Sequence, residues 1–569
     1  MNLPTPAIVA QSAVRRLPRW ALLMLCGAYL LAGYLGREPW KSADITGFGY
    51  MLELARTAPW DAVTWLAPRI PGSDAPAADA LLPYWLGAWA VAGLPLPSPW
   101  AARLPFLGLL ALAMASTWYA VYHLALTPRA QPVSFAFGGE ARPKDYARAI
   151  ADGALLALLA CLGLAQLSHE TTPAVAQLGF AALLMFGVAR TLPPESRSPW
   201  PAILALPGLA LSGAPALATL LGLGTAGILA GSHPMGEEAP RSRRVALVIA
   251  ACTLLTAGLC GVLGLWRWRV ELPETGWAWR NILRLFVWFT WPAWPLALWS
   301  LWRWRLQLRQ PAHHPHLALP LLFAVVASAS AVFTPTGDRS LLLALPALAT
   351  LAAFALPTLE RSVAALIDWF TLIFFSACTL IIWVVWTAMQ TGFPPQPAAN
   401  VARLAPGFEP SFVPWAFVVA VLATFGWVRL IAWRAGRHRA AIWKSLALPA
   451  GGAVLCWVLL MTLWLPLLDY ARSYVPLVRR VQALIGTPGC VAVAELTPAQ
   501  AVALRFHGQL ELRQGADSAA CPWLIVDGSR FDAPVTASAG SAWARVASIQ
   551  RPSDNNEFLT IFRRVPAQP

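Results

Sequence analysis

Apolar residues dominate this chain in long runs separated by short polar breaks, and run length decides the element type. A helix crossing hydrocarbon needs about 20 mostly apolar residues. Runs of that kind recur at roughly 20–36, 103–126, 149–167, 173–190, 200–212, 215–231, 245–265, 283–302, 317–334, 340–357, 363–386, 413–433 and 445–467, which predicts thirteen membrane helices. Runs 200–212 and 215–231 are parted only by Ser212-Gly213-Ala214-Pro215, so a single broken hairpin is the alternative there. The polar break from Gly36 to Trp85 is different in kind: Phe48, Met51, Leu52 and Ala55 recur in it at helical spacing, which predicts an amphipathic helix beside the membrane.

After Leu468 the pattern becomes that of a small soluble unit. CVAVAEL, LELRQG and PWLIVDG alternate like strands, TPAQAVALRFHG reads as a Thr-capped helix, and ARVASIQRP with EFLTIFRRV reads as a closing hairpin. The expected architecture is a polytopic α-helical membrane protein over residues 1–468, with a first outer loop at 37–85 and a C-terminal α/β domain over 469–569.

Composition agrees with that pattern. The chain is 58% hydrophobic and 12% charged, whereas soluble domains carry about 25% charge. Many of the 30 Trp residues, among them Trp20, Trp100, Trp200 and Trp464, stand at run ends, as in the aromatic belts of bilayer interfaces. The net charge of +15 does not point to nucleic acid, because most Lys and Arg lie in short loops between apolar runs. With thirteen spans, the loops rich in Arg and Lys share one side, which sets the N-terminus in the cytoplasm and the C-terminal domain in the periplasm of a bacterial inner membrane. The first apolar run lacks a small-residue cleavage site and reads as a retained helix. Cys490 and Cys521 are the two cysteines in soluble-looking sequence, and a disulfide or two buried thiols are equally compatible with their positions.

The polar residues expected on the outer face define the candidate chemistry. Asp44 opens the amphipathic helix, where it serves either as an N-cap or as a base beside the membrane. Glu38 and Glu170 are further acids on that face. Arg339, in a short polar plug between two spans, and Arg69, Arg280 and Arg284, with Arg267 and Arg269 close by, are the cations suited to a phosphate, since a guanidinium binds oxygen pairs; headgroup snorkelling is the alternative for the loop arginines. His169 beside Glu170 lacks the further spaced ligands of a metal site, and the cluster His313-His314-Pro315-His316 reads as a solvated loop. There is no Walker loop, dinucleotide fingerprint or zinc finger.

Several segments together resemble one family. Asp44-Ile45-Thr46-Gly47-Phe48, Leu66-Ala67-Pro68-Arg69-Ile70, Leu82-Pro83-Tyr84-Trp85-Leu86-Gly87-Ala88, Ala102-Arg103-Leu104-Pro105, Leu211 to Pro215 and Phe333 to Arg339 are similar to motifs of the C-type (GT-C) membrane glycosyltransferases, in particular the lipid A aminoarabinose transferases and their protein O-mannosyltransferase relatives. The departures are specific. Ile45 stands where the family has a second acid, Ala80 and Leu81 lie where a Lys is expected, Gly213 replaces the Lys of a "K-G-P" segment, and Thr171 and Thr172 follow Glu170 where an acid is expected.

The resemblance implies an inverting transferase that takes sugar from a polyprenyl-phosphate donor and passes it to a lipid or glycan acceptor. Asp44 is then the catalytic base and Arg339, Arg69, Arg284 and Arg280 hold the donor phosphate. No cofactor is implied, and a role for a divalent metal stays open. The alternatives are a transporter or flippase for a lipid-linked sugar, which calls for ionisable residues inside the spans, and a catalytically degenerate partner of an active transferase.

Overall fold

The computed structural model describes residues 5–193, 197–231, 238–267, 270–334, 337–435, 441–486, 488–528 and 543–565. Hydrocarbon offers the backbone no hydrogen bonds, so apolar runs become helices that satisfy their own. Six helices are long and apolar enough to cross a membrane: Ser98–Ala125, Arg241–Val262, Pro315–Val332, Arg361–Thr391, Pro414–Arg434 and Ile442–Leu460. Five shorter apolar helices, Arg19–Tyr34, Pro173–Ala189, Trp200–Leu211, Pro215–Gly231 and Leu345–Thr358, also match expected runs.

The other two runs differ in detail. The run at 149–167 is a helix Pro143–Ala160 followed by the short turn of helix Leu164–Leu167. The run at 283–302 is broken into Gly276–Phe289 and Ala293–Arg303, because Pro292 cannot continue the hydrogen-bond ladder. The first of these two helices is amphipathic and carries exposed Trp277, Trp279 and Trp288.

Exposure separates core helices from lipid-facing ones. Pro143–Ala160, Leu345–Ala355 and Ala447–Leu460 are buried along most of their length. Arg361–Thr391 and Pro414–Ala435 instead expose Leu366, Trp369, Ile373, Leu380, Leu422 and Phe425, an apolar surface that hydrocarbon covers at no cost and water would not. Two acids within the helices are bonded: Asp152 accepts from Trp118 Nε1 at 2.8 Å, and Asp368 holds Arg434.

The loops sort to two ends. At one end Gln11 bonds Asp145, Trp443 Nε1 donates to the Arg15 carbonyl, and Arg129 reaches the His313 carbonyl. The His cluster there is not solvated as its sequence suggests: His314 and His316 are buried, His316 against Trp304 and Phe354. The other end gathers the 37–85 loop, the 168–172 turn and the C-terminal residues.

The C-terminal sheet has the order β2-β1-β3-β5-β4. Strand β1 (Val491–Ala494) runs parallel to β2 (Leu512–Arg513) and β3 (Trp523–Asp527), and the crossover helix Pro498–Phe506 starts with a capping box between Thr497 and Gln500. Strands β4 (Trp543–Arg551) and β5 (Asp554–Arg564) form the antiparallel hairpin that completes the sheet through β3. Cys490 and Cys521 form a disulfide at the starts of β1 and β3.

This unit packs directly on the amphipathic helix Ala43–Arg56. Gly49 faces Val502, and a side chain in place of the glycine hydrogen would come within 2.2 Å of it. Phe48 and Phe506 meet edge to face at 4.8 Å, Glu53 pairs with Arg505 at 2.7 Å, and Lys41 is held by Asp554 and Glu557. The helix that carries Asp44 is thus clamped between the helical bundle and the crossover helix of the C-terminal unit.

Candidate active site around Asp44

The first apolar helix ends at Tyr34, and the chain turns at Gly36, whose φ of +73° is open to glycine at little strain, so that Arg37 enters the protein. The next helix begins at Ala43, with Asp44 in its first turn. Asp44 is not the N-cap: Ser42 occupies that position and makes no side-chain cap bond. The Asp44 carboxylate looks instead toward the 168–172 turn.

Its two oxygens are fully engaged. Oδ1 accepts from the Thr171 amide and the Thr171 hydroxyl, both at 2.7 Å. Oδ2 accepts from Arg37 Nη2 at 2.9 Å and from the Trp40 amide at 3.0 Å. Close approach of the turn depends on Gly47, where a Cβ would lie 2.3 Å from the Thr171 carbonyl oxygen. Burial pushes the carboxyl up, but Arg37, Arg103 and the amides of Thr171 and Trp40 outweigh it and hold Asp44 below the usual carboxylate range.

A second pair lies beside the first. Arg339 Nη2 meets Glu170 Oε2 at 2.9 Å, and Glu170 is 1% exposed. Burial pushes the Glu170 carboxyl up, and Arg339 offsets this only in part. Asp44, Glu170 and Arg339, which the sequence singled out separately, therefore come together through neighbouring residues of the 168–172 turn.

Two arginines in this centre were not singled out as phosphate ligands by sequence reasoning. Arg37 has no exposed side-chain surface; its Nη2 also donates to the His169 carbonyl at 2.8 Å, while Nε and Nη1 have no partner among the described residues. Arg103, on the helix Ser98–Ala125 and 4% exposed, leaves both terminal nitrogens without a partner among the described residues. Buried guanidinium groups are normally bonded through most of their donors, so these orphaned N–H groups mark a place where an anion is held well. Arg103 stood in the segment Ala102-Arg103-Leu104-Pro105, and that was its only signal; Arg37 carried none.

The remaining candidates lie apart from this centre. Glu38 lines a cavity of about 590 Å³ together with Asp469, Phe408 and Tyr470. Arg69 is exposed, on a loop whose Gly72 packs against Leu512. Arg280 and Arg284 are exposed on the amphipathic helix Gly276–Phe289, and Arg284 lines a second cavity of about 450 Å³ with Trp288 and Phe289. Arg267 bonds the Ala77 carbonyl at 3.0 Å, and Arg269 lies outside the described residues. His169 spends its ring nitrogens on the carbonyls of Ala165 and Tyr29, and among the described residues no three His, Cys, Asp or Glu side chains gather as metal ligands.

The fold as a whole matches known structures. The crystal structure of ArnT from Cupriavidus metallidurans bound to undecaprenyl phosphate superposes with a TM-score of 0.60 over 97% of this chain and 99% of that one, at 16% identity. The chain has the ArnT fold. The apo state of the same ArnT gives 0.59 over the same shares, at 14% identity. ArnT is an aminoarabinose transferase of the GT-C class, so the GT-C resemblance carried by short motifs extends to nearly the full length of both chains. No family model matches the sequence, and no curated protein does.

Proposed function

We propose that this chain is a glycosyltransferase that takes a sugar from a polyprenyl-phosphate donor and transfers it to a hydroxyl of a lipid or glycan acceptor at the periplasmic face of a bacterial inner membrane. The observation that carries this reading is the buried Asp44–Arg37 pair set beside Arg103, whose two terminal nitrogens have no partner among the described residues, on the fold of an enzyme whose crystal structure holds undecaprenyl phosphate.

In this reading the donor phosphate meets Arg37 and Arg103, with Arg339 as the third cation. They take the place of the lysines that the family motifs carry and this sequence lacks. A phosphate that draws Arg37 away frees Asp44 Oδ2, and losing that neighbouring cation raises the basicity of the carboxylate. Asp44 then accepts the proton of the acceptor hydroxyl as its oxygen attacks the anomeric carbon. The bond from that carbon to the phosphate oxygen breaks, and polyprenyl phosphate leaves with the electron pair, its added charge met by the arginines. Attack from the face opposite the leaving group inverts the anomeric centre.

One observation favours a second reading, that of a degenerate partner. Asp44 is 1% exposed with both oxygens taken, which is also how a structural carboxylate looks. The transporter reading has less support, since Asp152 and Asp368 are already bonded within the bundle. Undecaprenyl phosphate binding to the full chain in nanodiscs tests the proposal: Arg103→Gln is expected to weaken binding at least tenfold, and equal binding by both proteins would contradict it.

A further inference from the structure

The 168–172 turn encloses a histidine that the reaction described above leaves idle. His169 is 0% exposed, and its backbone carbonyl accepts from Arg37 Nη2 at 2.8 Å, so it bears directly on the cation paired with Asp44. Gly33 makes room for its ring, since a Cβ there would lie 2.3 Å from His169 Cδ2. The rings of Tyr29, Tyr34 and Trp457 surround it, with centres 5.3, 5.0 and 4.9 Å away.

The partners of its two nitrogens do not suit a neutral ring. Nδ1 faces the Ala165 carbonyl, and Nε2 faces the Tyr29 carbonyl at 3.0 Å. A carbonyl only accepts, and a neutral imidazole has one N–H to give. Both contacts are hydrogen bonds only when the ring carries two protons and a positive charge, and three aromatic faces are surroundings that suit a buried cation. One further group serves the neutral ring: the Ser168 hydroxyl lies 3.2 Å from Nδ1 and can donate to it when it is bare. The Ala165 carbonyl then faces a lone pair. The site thus offers partners to two states of one ring.

Charge decides between them. Burial drives the imidazole down to about 4, and Arg37 adds to this against the pull of the Ala165, Tyr29 and Leu30 carbonyls. The ring is therefore neutral near neutral pH while nothing offsets Arg37. The other charged groups about the turn are Asp44, Glu170, Arg103 and Arg339. The first helix brings the phenols of Tyr29 and Tyr34, and the helix Ala447–Leu460 brings Trp457 and no charged group. An anion at the arginines shifts this balance, because negative charge beside Arg37 favours the imidazolium.

We propose that His169 is a positioning residue that takes up a proton when the donor phosphate binds at Arg37 and Arg103, and that the imidazolium holds the turn, and Arg37 through its carbonyl, as the guanidinium leaves Asp44 for the phosphate. The proposal rests on the transferase reading above through that phosphate. The proton comes from solvent and adds to Nδ1; the Ser168 hydroxyl gives way, and the Ala165 carbonyl accepts the new N–H. By linkage the donor binds more tightly below the bound-state value of His169, and that gain is lost as pH rises through it.

The test reads the histidine rings by nitrogen NMR in the full chain, isotope-labelled at histidine and held in nanodiscs. The probe is the methyl diester of undecaprenyl phosphate, which carries one negative charge and no proton of its own near neutral pH. At pH 6 it is expected to convert one of the eight histidine rings from one protonated nitrogen to two. It is expected to bind about fivefold more tightly at pH 6 than at pH 8. His169→Gln is expected to remove that signal and flatten the pH dependence. Ser168→Ala, which takes away the donor to the neutral ring, is expected to raise the midpoint, and it identifies the responding ring should His169→Gln not fold. Binding with no change in any ring, or with a change that His169→Gln leaves in place, would overturn the proposal and leave the transferase reading standing. Absence of binding would overturn both. The His169 response in a protein inactive with every donor would keep the proton uptake and remove the transferase reading.

Discussion

Arg37 and Asp44 form an ion pair at 2.9 Å with 0% and 1% of their side-chain surfaces exposed, at the point where the first membrane helix gives way to the amphipathic helix above it. A pair this deeply buried persists only because other bonds complete it: Thr171 and Trp40 on the carboxylate, the His169 carbonyl on the guanidinium. Removing one partner strands the other. Arg37→Met is expected to destabilise the protein by about 3–5 kcal/mol, the usual cost of an uncompensated buried ion. Asp44→Leu in the same chain is expected to restore much of that loss, and thermal unfolding of the single and double variants in detergent measures the coupling.

The approach of the Thr171 turn to Asp44 depends on a missing side chain. A Cβ at Gly47 would sit 2.3 Å from the Thr171 oxygen, and this neighbour is backbone and cannot rotate away. Gly47→Ala is therefore expected to cost at least 2 kcal/mol, the order of an overpacked core site, and to lower activity with it. Gly27, with nothing within 4 Å, is the control: Gly27→Ala is expected to be neutral or slightly stabilising, since alanine is the better helix former. Equal effects of the two changes in a melting assay would contradict the close packing at Gly47.

The two carboxyl groups bonded to Trp40 respond to pH in opposite senses. Burial pushes Asp469 up to about 6, against the pull of its Trp40 hydrogen bond, so the folded protein holds that proton more tightly than the unfolded chain. Its contribution to stability is full below the ordinary carboxylate value and is lost as pH rises through about 6. Asp44 is held low, so its contribution is full above the ordinary value and is lost as pH falls below it. Asp469→Asn is expected to remove the decline in melting temperature between about pH 4 and 6 and to leave the acid limb in place. An unchanged profile would show that Asp469 titrates normally.

The Cys490–Cys521 disulfide closes a loop across 31 positions. For a loop of that length the chain-entropy argument gives about 3–4 kcal/mol. Replacing both cysteines with serine is expected to destabilise the sheet by that order and, because Arg505, Phe506 and Val502 dock on the Ala43–Arg56 helix, to raise hydrogen exchange in that helix as well. Exchange confined to the sheet would show that the clamp does not couple the two.

Much of the fold was legible in the sequence because its signals are local. Every expected apolar run coincides with a helix or with a broken pair, and Thr497 marked the crossover helix at its start. What failed to show was whatever depends on distant partners. Asp44 reads as a cap or a base in isolation, and its actual partner Thr171 lies 127 positions away. Arg37 carried no signal, since nothing near Gly36 says that the chain turns inward. Asp469 stands at the end of an apolar run as one more acid, and only the fold brings it against Trp40. His314 and His316 misled because polar residues in a short loop are normally wet, and here the loop folds back on Trp304.

The central claim is that Asp44 serves sugar transfer from a polyprenyl-phosphate donor. Its most direct test is turnover in membranes with a panel of synthetic polyprenyl-phosphate sugars, comparing wild type, Asp44→Asn and Arg103→Gln at matched amounts of folded protein. The account predicts transfer by wild type with at least one donor, a loss of at least a thousandfold in Asp44→Asn, and a smaller loss in Arg103→Gln that follows weakened donor binding. Equal turnover by wild type and Asp44→Asn would return Asp44 to a purely structural role, and the absence of turnover by wild type with every donor would contradict the account.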